Sequence, residues 1–166
     1  MSFLGFLQWL HGTDFSVALR ESAWGEPIVE SIHVLALTLF LGFAVLLDLR
    51  LLGVSFRRRR ASEVLAQLNP WLEAGFAVMI ATGALLFCSD PLAFYNDTFF
   101  RIKMLLIALA VANVIVFSRG EGRNVAAWDQ NPQTPNAAKV AAVVSLVLWA
   151  AIVAAGRAIA YTLPPP

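Results

Sequence analysis

The stretch IVESIHVLALTLFLGFAVLLDLRLLGV, residues 28–54, decides the fold. It shows neither the alternation of a strand nor the polar face of a surface helix. It exceeds the roughly 20 apolar residues that a helix needs to cross a hydrocarbon core. Within it lies His33. An ionisable side chain inside a span is costly unless it faces the protein interior and has a partner, so it marks a candidate functional site.

Working outward, three more apolar blocks follow at 68–89, 100–118 and 138–162. The chain has 166 residues, 59% hydrophobic and 14% charged, whereas a soluble domain is about 25% charged. The expected fold is an all-α integral membrane protein. A four-transmembrane-helix bundle covers 25–162, an interfacial amphipathic segment covers 1–24, and 163–166 form a disordered tail. Four spans in so short a chain leave no room for a soluble catalytic domain.

The N-terminal segment lacks the basic start of a signal peptide, and Asp14 and Arg20 interrupt its apolar run. Phe3, Leu4, Phe6, Leu7, Trp9 and Leu10 suit a helix lying in the interface. Gly12-Thr13-Asp14 breaks it, and Thr13 or Asp14 can cap a second one.

Arg57-Arg58-Arg59-Arg60 follows the first span, a strong cytoplasmic signal. The expected location is the bacterial inner membrane, multi-pass, with both termini on the periplasmic side. The segment 120–136, with Pro132 and Pro135, reads as irregular. The net charge of +1 excludes nucleic acid as an expected partner. The single cysteine, Cys88, excludes an internal disulfide and a Cys/His metal cluster. Met79 and Met104 stand isolated among aliphatics, which argues against copper. The expected partners are the lipid bilayer and a homo-oligomer, burying Ala/Gly-rich faces of the fourth span, or a larger membrane complex.

Depth follows from a rise of about 1.5 Å per residue. His33, Lys103 and Arg157 sit at similar depth in the periplasmic half, on three different spans. Glu30 shares a helix face with His33, and Glu26 lies a turn further out. A second polar layer towards the cytoplasm holds Asp48, Arg50, Glu73 and Asn113, with Asp48 and Arg50 a candidate interface pair. Lys103 and Arg157 are also near enough to the interface to snorkel.

A neutral imidazole in a helical bundle is a good axial ligand for haem iron. His33 is the candidate ligand or base, and the only candidate metal ligand within the spans. Lys103 and Arg157 are candidate anchors for propionates, with Glu30 beside them. Gly42, Gly75 and Gly83 permit close approach of helices or cofactor. A bis-histidine haem needs a second histidine, and His11 on the same side is the one available within the chain. A five-coordinate haem, another type of sixth ligand, or a ligand from another subunit are the alternatives. The same residues also suit a Glu30–His33 proton relay, or a basic site for an anionic lipid or quinone.

Ser31-Ile32-His33-Val34-Leu35, continuing through Phe40-Leu41-Gly42 to Leu49-Arg50-Leu51, resembles the first helix of HemJ-type protoporphyrinogen oxidases. Leu68-Asn69-Pro70 is similar to their Asn-Pro start of helix 2. Phe100-Arg101-Ile102-Lys103-Met104-Leu105-Leu106 is similar to the start of their helix 3. The resemblance implies a four-helix membrane protein with haem b, an oxidoreductase of the protoporphyrinogen oxidase type. His33 and Lys103 would be its catalytic residues. Two departures stand out: Asn113 occupies the place of a further histidine, and Asn136-Ala137-Ala138-Lys139 replaces an Asn-Glu-x-Pro element. A looser resemblance extends to CopD-like membrane proteins, and Ser145–Tyr161 resembles uncharacterised four-helix bacterial families. The leading expectation is a haem b or porphyrin binding protein in electron transfer or porphyrin oxidation. The alternative is a non-enzymatic membrane subunit that binds lipid or quinone, or assists assembly of a larger complex.

Overall fold

A computed structural model describes residues 2–56, 58–129 and 134–163. Arg57, Pro132 and the tail prolines 164–166 lie outside the described residues. Two short helices open the chain, α1 (Phe3–His11) and α2 (Asp14–Glu21). Each has a polar N-cap: Ser2 accepts from the Gly5 amide and Thr13 from that of Ser16. These are the side chains that satisfy orphan N–H groups at a helix start.

The first span, α3 (Gly25–Leu51), ends where Gly53 adopts φ +72°. Gly53 N donates to Arg50 O at 3.0 Å and Val54 N to Leu49 O at 2.9 Å. That pair of bonds is a Schellman closure, which favours glycine at the left-handed position.

α4 (Ala61–Ser89) starts seven residues before the expected 68 and carries Pro70 inside it. Its start is held from a distance: the Asp129 carboxylate accepts from the Ser62 amide at 3.3 Å and from the Ser62 hydroxyl. A carboxylate there complements the helix dipole. α5 (Pro91–Asn96) follows, with Asp90 capping it through the Ala93 amide at 3.1 Å. α6 (Thr98–Arg119) is capped by Asp97, which accepts from Phe100 N at 2.7 Å. The other Asp97 oxygen accepts from the Thr162 hydroxyl at 2.5 Å, tying the start of α6 to the end of the last helix. The segment expected to be irregular contains one turn of helix, α7 (Val125–Trp128). The Trp128 indole N–H holds that turn by donating to Glu121 O at 3.0 Å. The last span is α8 (Asn136–Thr162).

The four long helices each contain an 18-residue stretch of mean hydropathy 1.8 to 2.3, enough to cross a membrane. Only 6–22% of each stretch is buried within the chain, so most of that apolar surface faces outward. Leu39, Leu105, Val116 and Val147 are each more than 60% exposed. Such surface is stable in hydrocarbon and not in water. The chain is a multi-pass membrane protein with an all-helical fold.

The spans pack as two pairs, α3 with α4 and α6 with α8, and the pairs join through α3 and α8. Among the described residues, the α4 and α6 backbones stay apart, and the two helices meet through Phe87 stacked on Phe100 at the capped end, ring centroids 5.5 Å apart. The core joining the pairs is Phe40 between Phe76 and Trp149, with ring centroids 5.9 and 4.6 Å away. Gly75 lets α4 approach, because a Cβ there would meet Phe40 Cβ at 3.2 Å. Gly42 has open space around it and plays no such part. The alanines Ala138, Ala142 and Ala155 of α8 are buried inside the chain. Ala137, Ala150, Ala154 and Ala160 of the same helix are exposed.

α1 and α2 cover the end of the bundle where α4 terminates. The Ser16 hydroxyl donates to Cys88 O at 2.5 Å and the Arg20 guanidinium to Ser89 O at 3.0 Å. These are the orphan carbonyls of a helix C-terminus, and a cation there also suits the dipole. Leu7 and Ser16 are sealed, at 1% and 0% exposure. This is the capped end of the bundle; the opposite one, with Arg58–Arg60, is the arginine end.

Candidate functional site

His33 lies about 12 Å along α3 from Gly25, at about 1.5 Å per residue. Its ring is half-buried and turned towards α4. Nδ1 lies 2.8 Å from Thr82 Oγ1. The single Thr82 hydroxyl proton is used elsewhere, because Oγ1 lies 2.7 Å from Val78 O, the usual back-bond of a helical threonine. In that arrangement Oγ1 accepts, and His33 Nδ1 carries the proton it donates. With Nδ1 protonated in the neutral ring, Nε2 keeps its lone pair. Nε2 has no partner among the described residues.

Gly83 lies flush against this ring. A Cβ at that position would meet His33 Cε1 at 3.4 Å and Nδ1 at 3.8 Å. One helical turn of α4 thus supplies both the hydrogen-bond acceptor and the flat surface beside the imidazole.

Lys103 sits about 8 Å into α6, with its side chain laid across Gly156 of α8. A Cβ on Gly156 would come within 3.5 Å of Lys103 Nζ. The ammonium has no acceptor and no carboxylate partner among the described residues, and its charge acts on the His33 ring. His33 and Lys103 are therefore brought together across the join between the two helix pairs, at the capped end.

The other expected members are elsewhere. Arg157 is exposed on the far face of α8, where it donates to the Tyr161 hydroxyl at 3.0 Å and stacks over that ring at 5.0 Å. It is a snorkelling pair with an interfacial aromatic. Glu30 is exposed and makes no hydrogen bond or ion pair among the described residues. Glu26 instead faces the bundle, 3.2 Å from the Ser89 hydroxyl. His11 does not fold towards His33. Its Nδ1 lies 3.3 Å from both Asp90 Oδ1 and an Arg20 nitrogen, holding it in the capping network.

The second polar layer is not an ion pair either. Arg50 is buried and directs Nε and Nη2 onto the Arg59 carbonyl at 2.9 and 2.7 Å. It staples the arginine loop to α3. Asp48, 6% exposed, interacts with Ser145 of α8 and keeps Oδ2 without a partner. Two residues apart on a helix, the side chains point to different sides. Asn113 donates to Ala141 O at 2.9 Å, clamping α6 to α8. Among the described residues no three His, Cys, Asp or Glu side chains group as a metal site.

Thr82 and Gly156 are site residues that sequence reading passed over. Thr82-Gly83 is a polar and small pair in an otherwise apolar run, and Gly156 precedes the arginine that drew attention. Those were the available signals.

The fold and this site define a small four-span membrane protein with a hydrogen-bonded histidine and an unpaired lysine near one end. The chain belongs to the DUF6644 family, a family of unknown function, which it matches over residues 2–162. No curated protein and no solved structure matches it.

Proposed function

We propose that the chain binds haem b or a related porphyrin at His33 and Lys103 and serves in electron transfer or porphyrin oxidation. The observation that carries this reading is the contact of His33 Nδ1 with Thr82 Oγ1 at 2.8 Å: with Nδ1–H held there, Nε2 is free to ligate iron. Metal-binding histidines commonly donate their second nitrogen in this way, which orients the ring and raises its basicity. The donor set suits the group. A neutral imidazole suits the metal, Gly83 leaves a face clear, and an unpaired ammonium suits a propionate. Bound haem would supply one-electron chemistry. The chain's own residues orient the ring, hold a carboxylate and keep water out with the Phe40, Phe76 and Trp149 layer.

With His11 engaged at the capped end, this reading has one protein ligand per chain, unless a second subunit supplies another. The resemblance to HemJ-type enzymes supports His33 and Lys103 as the catalytic pair. Placement of the arginine end in the cytoplasm and the capped end in the periplasm rests on the positive-inside rule applied to residues 57–60.

The test is purification from haem-replete cells. The expected result is a Soret band in the wild-type protein that is lost in His33→Ala. Absence of the band, or equal cofactor content in the variant, overturns the proposal.

A further inference from the structure

Between the Phe40–Phe76–Trp149 layer and the arginine end lies a cavity of about 300 Å³. It is separate from the His33 site, which does not line it. Its walls come from all four spans, and α4 faces α6 across it. The backbones of those two helices stay apart, and their Phe87–Phe100 contact lies at the capped end, away from the cavity, so the cavity opens sideways towards lipid. The walls are chiefly apolar and aromatic, including Leu72, Val114 and Phe117.

Its polar groups are rich in acceptors, beside the amide and hydroxyl donors of Asn69, Asn113 and Ser145. Asp48 is 94% buried, and its Oδ2 has no hydrogen-bond partner among the described residues. Glu73 adds a second carboxyl, and Asn69 and Asn113 add amide oxygens. Among the described residues no lysine, arginine or histidine lines the cavity. An anionic head group, such as a phosphate, would find no countercharge there. A buried unpaired acceptor is costly to maintain and calls for a donor.

We infer that this cavity binds the hydroquinone-type head group of a membrane-dissolved molecule, with Asp48 accepting from a ring hydroxyl and Ser145 beside it. A pocket of about 150 Å³ accommodates benzene, so this volume takes one substituted ring. The apolar tail leaves between α4 and α6. A neutral donor satisfies Oδ2 without carrying a second charge out of water, which would cost several kcal/mol per ion. This inference does not depend on haem at His33.

The test uses the full chain in nanodiscs, titrated anaerobically with a decyl-substituted benzohydroquinone and read by tryptophan quenching, since Trp149 lines the cavity. Saturable binding is expected, at least tenfold weaker for the dimethyl ether of the same molecule, which has no hydroxyl to donate. Asp48→Ala should lower hydroquinone affinity at least tenfold and leave ether affinity unchanged. Leu72→Trp fills the cavity with the carboxyl intact and should abolish binding, which covers the case in which Asp48→Ala does not fold. His33→Ala should bind the hydroquinone as the wild type does. Equal binding of hydroquinone and ether, no saturable binding, or displacement by tetraphenylphosphonium in an Asp48-dependent manner would each overturn it, the last in favour of an organic-cation site.

Discussion

Replacing Thr82 with valine tests how His33 is held. Valine has nearly the same shape as threonine and no hydroxyl, so packing at this 7% exposed position is conserved. The bond lost within α4 costs little, because Val78 O keeps its ordinary helical partner, the backbone N–H of residue 82. The bond lost across helices matters more. His33 Nδ1–H, now 2.8 Å from Oγ1, would lose that acceptor. A buried donor left unmade costs about 1–3 kcal/mol. The ring is only half-buried, which places the expected loss near the lower limit, about 1 kcal/mol. That corresponds to roughly a fivefold change in an equilibrium, here the preference for Nδ1–H over Nε2–H. The assay is ¹⁵N NMR of histidine-labelled protein in a His11→Gln background, leaving His33 as the one labelled ring. The wild type should show protonated Nδ1 and bare Nε2. Thr82→Val should shift the populations towards Nε2–H, and Thr82→Ser should restore them. A wild-type ring protonated on Nε2, or a spectrum indifferent to Thr82→Val, would refute the tautomer argument.

Other outcomes follow from the same contacts. Lys103→Met should lower retained haem at least tenfold in the purified protein, whereas Arg157→Met should leave it unchanged, because Arg157 engages Tyr161 on the outer face. Gly156→Leu should mimic Lys103→Met by displacing the ammonium; unchanged cofactor content would contradict that placement. Arg50→Gln should destabilise the protein by about 2–3 kcal/mol, since hydrogen bonds from charged groups contribute about 1.5–3 kcal/mol. It should also speed tryptic cleavage in the arginine loop. Ser16→Ala should cost about 1 kcal/mol in a thermal or denaturant titration, by uncapping Cys88 O.

The spans were legible because an uninterrupted apolar run has one stable answer in lipid. The N-terminal break at Gly12-Thr13 was legible too, because a cap is a local event. The start of α4 was not. Pro70 reads as a helix opening, but the helix continues back to Ala61, and Asp129 holds its second residue, Ser62, from 67 residues away. No local pattern carries that bond. At the site, depth was readable and direction was not. Residues on one helix turn by about 100° each, so Gly156 faces Lys103 while Arg157, one position on, faces outward. The same geometry separates Asp48 from Arg50. The partner of His33 lies 49 residues away on another helix, and only packing of α3 on α4 identifies it.

The central claim is that His33, with Nε2 free, holds a haem. The most direct measurement is the oxidised-minus-reduced absorption spectrum of wild type and His33→Ala purified side by side from haem-replete cells. The account predicts a Soret band and a reducible haem b signal in the wild type, with neither in the variant. A colourless wild-type protein, or a haem spectrum that survives loss of His33, would contradict it.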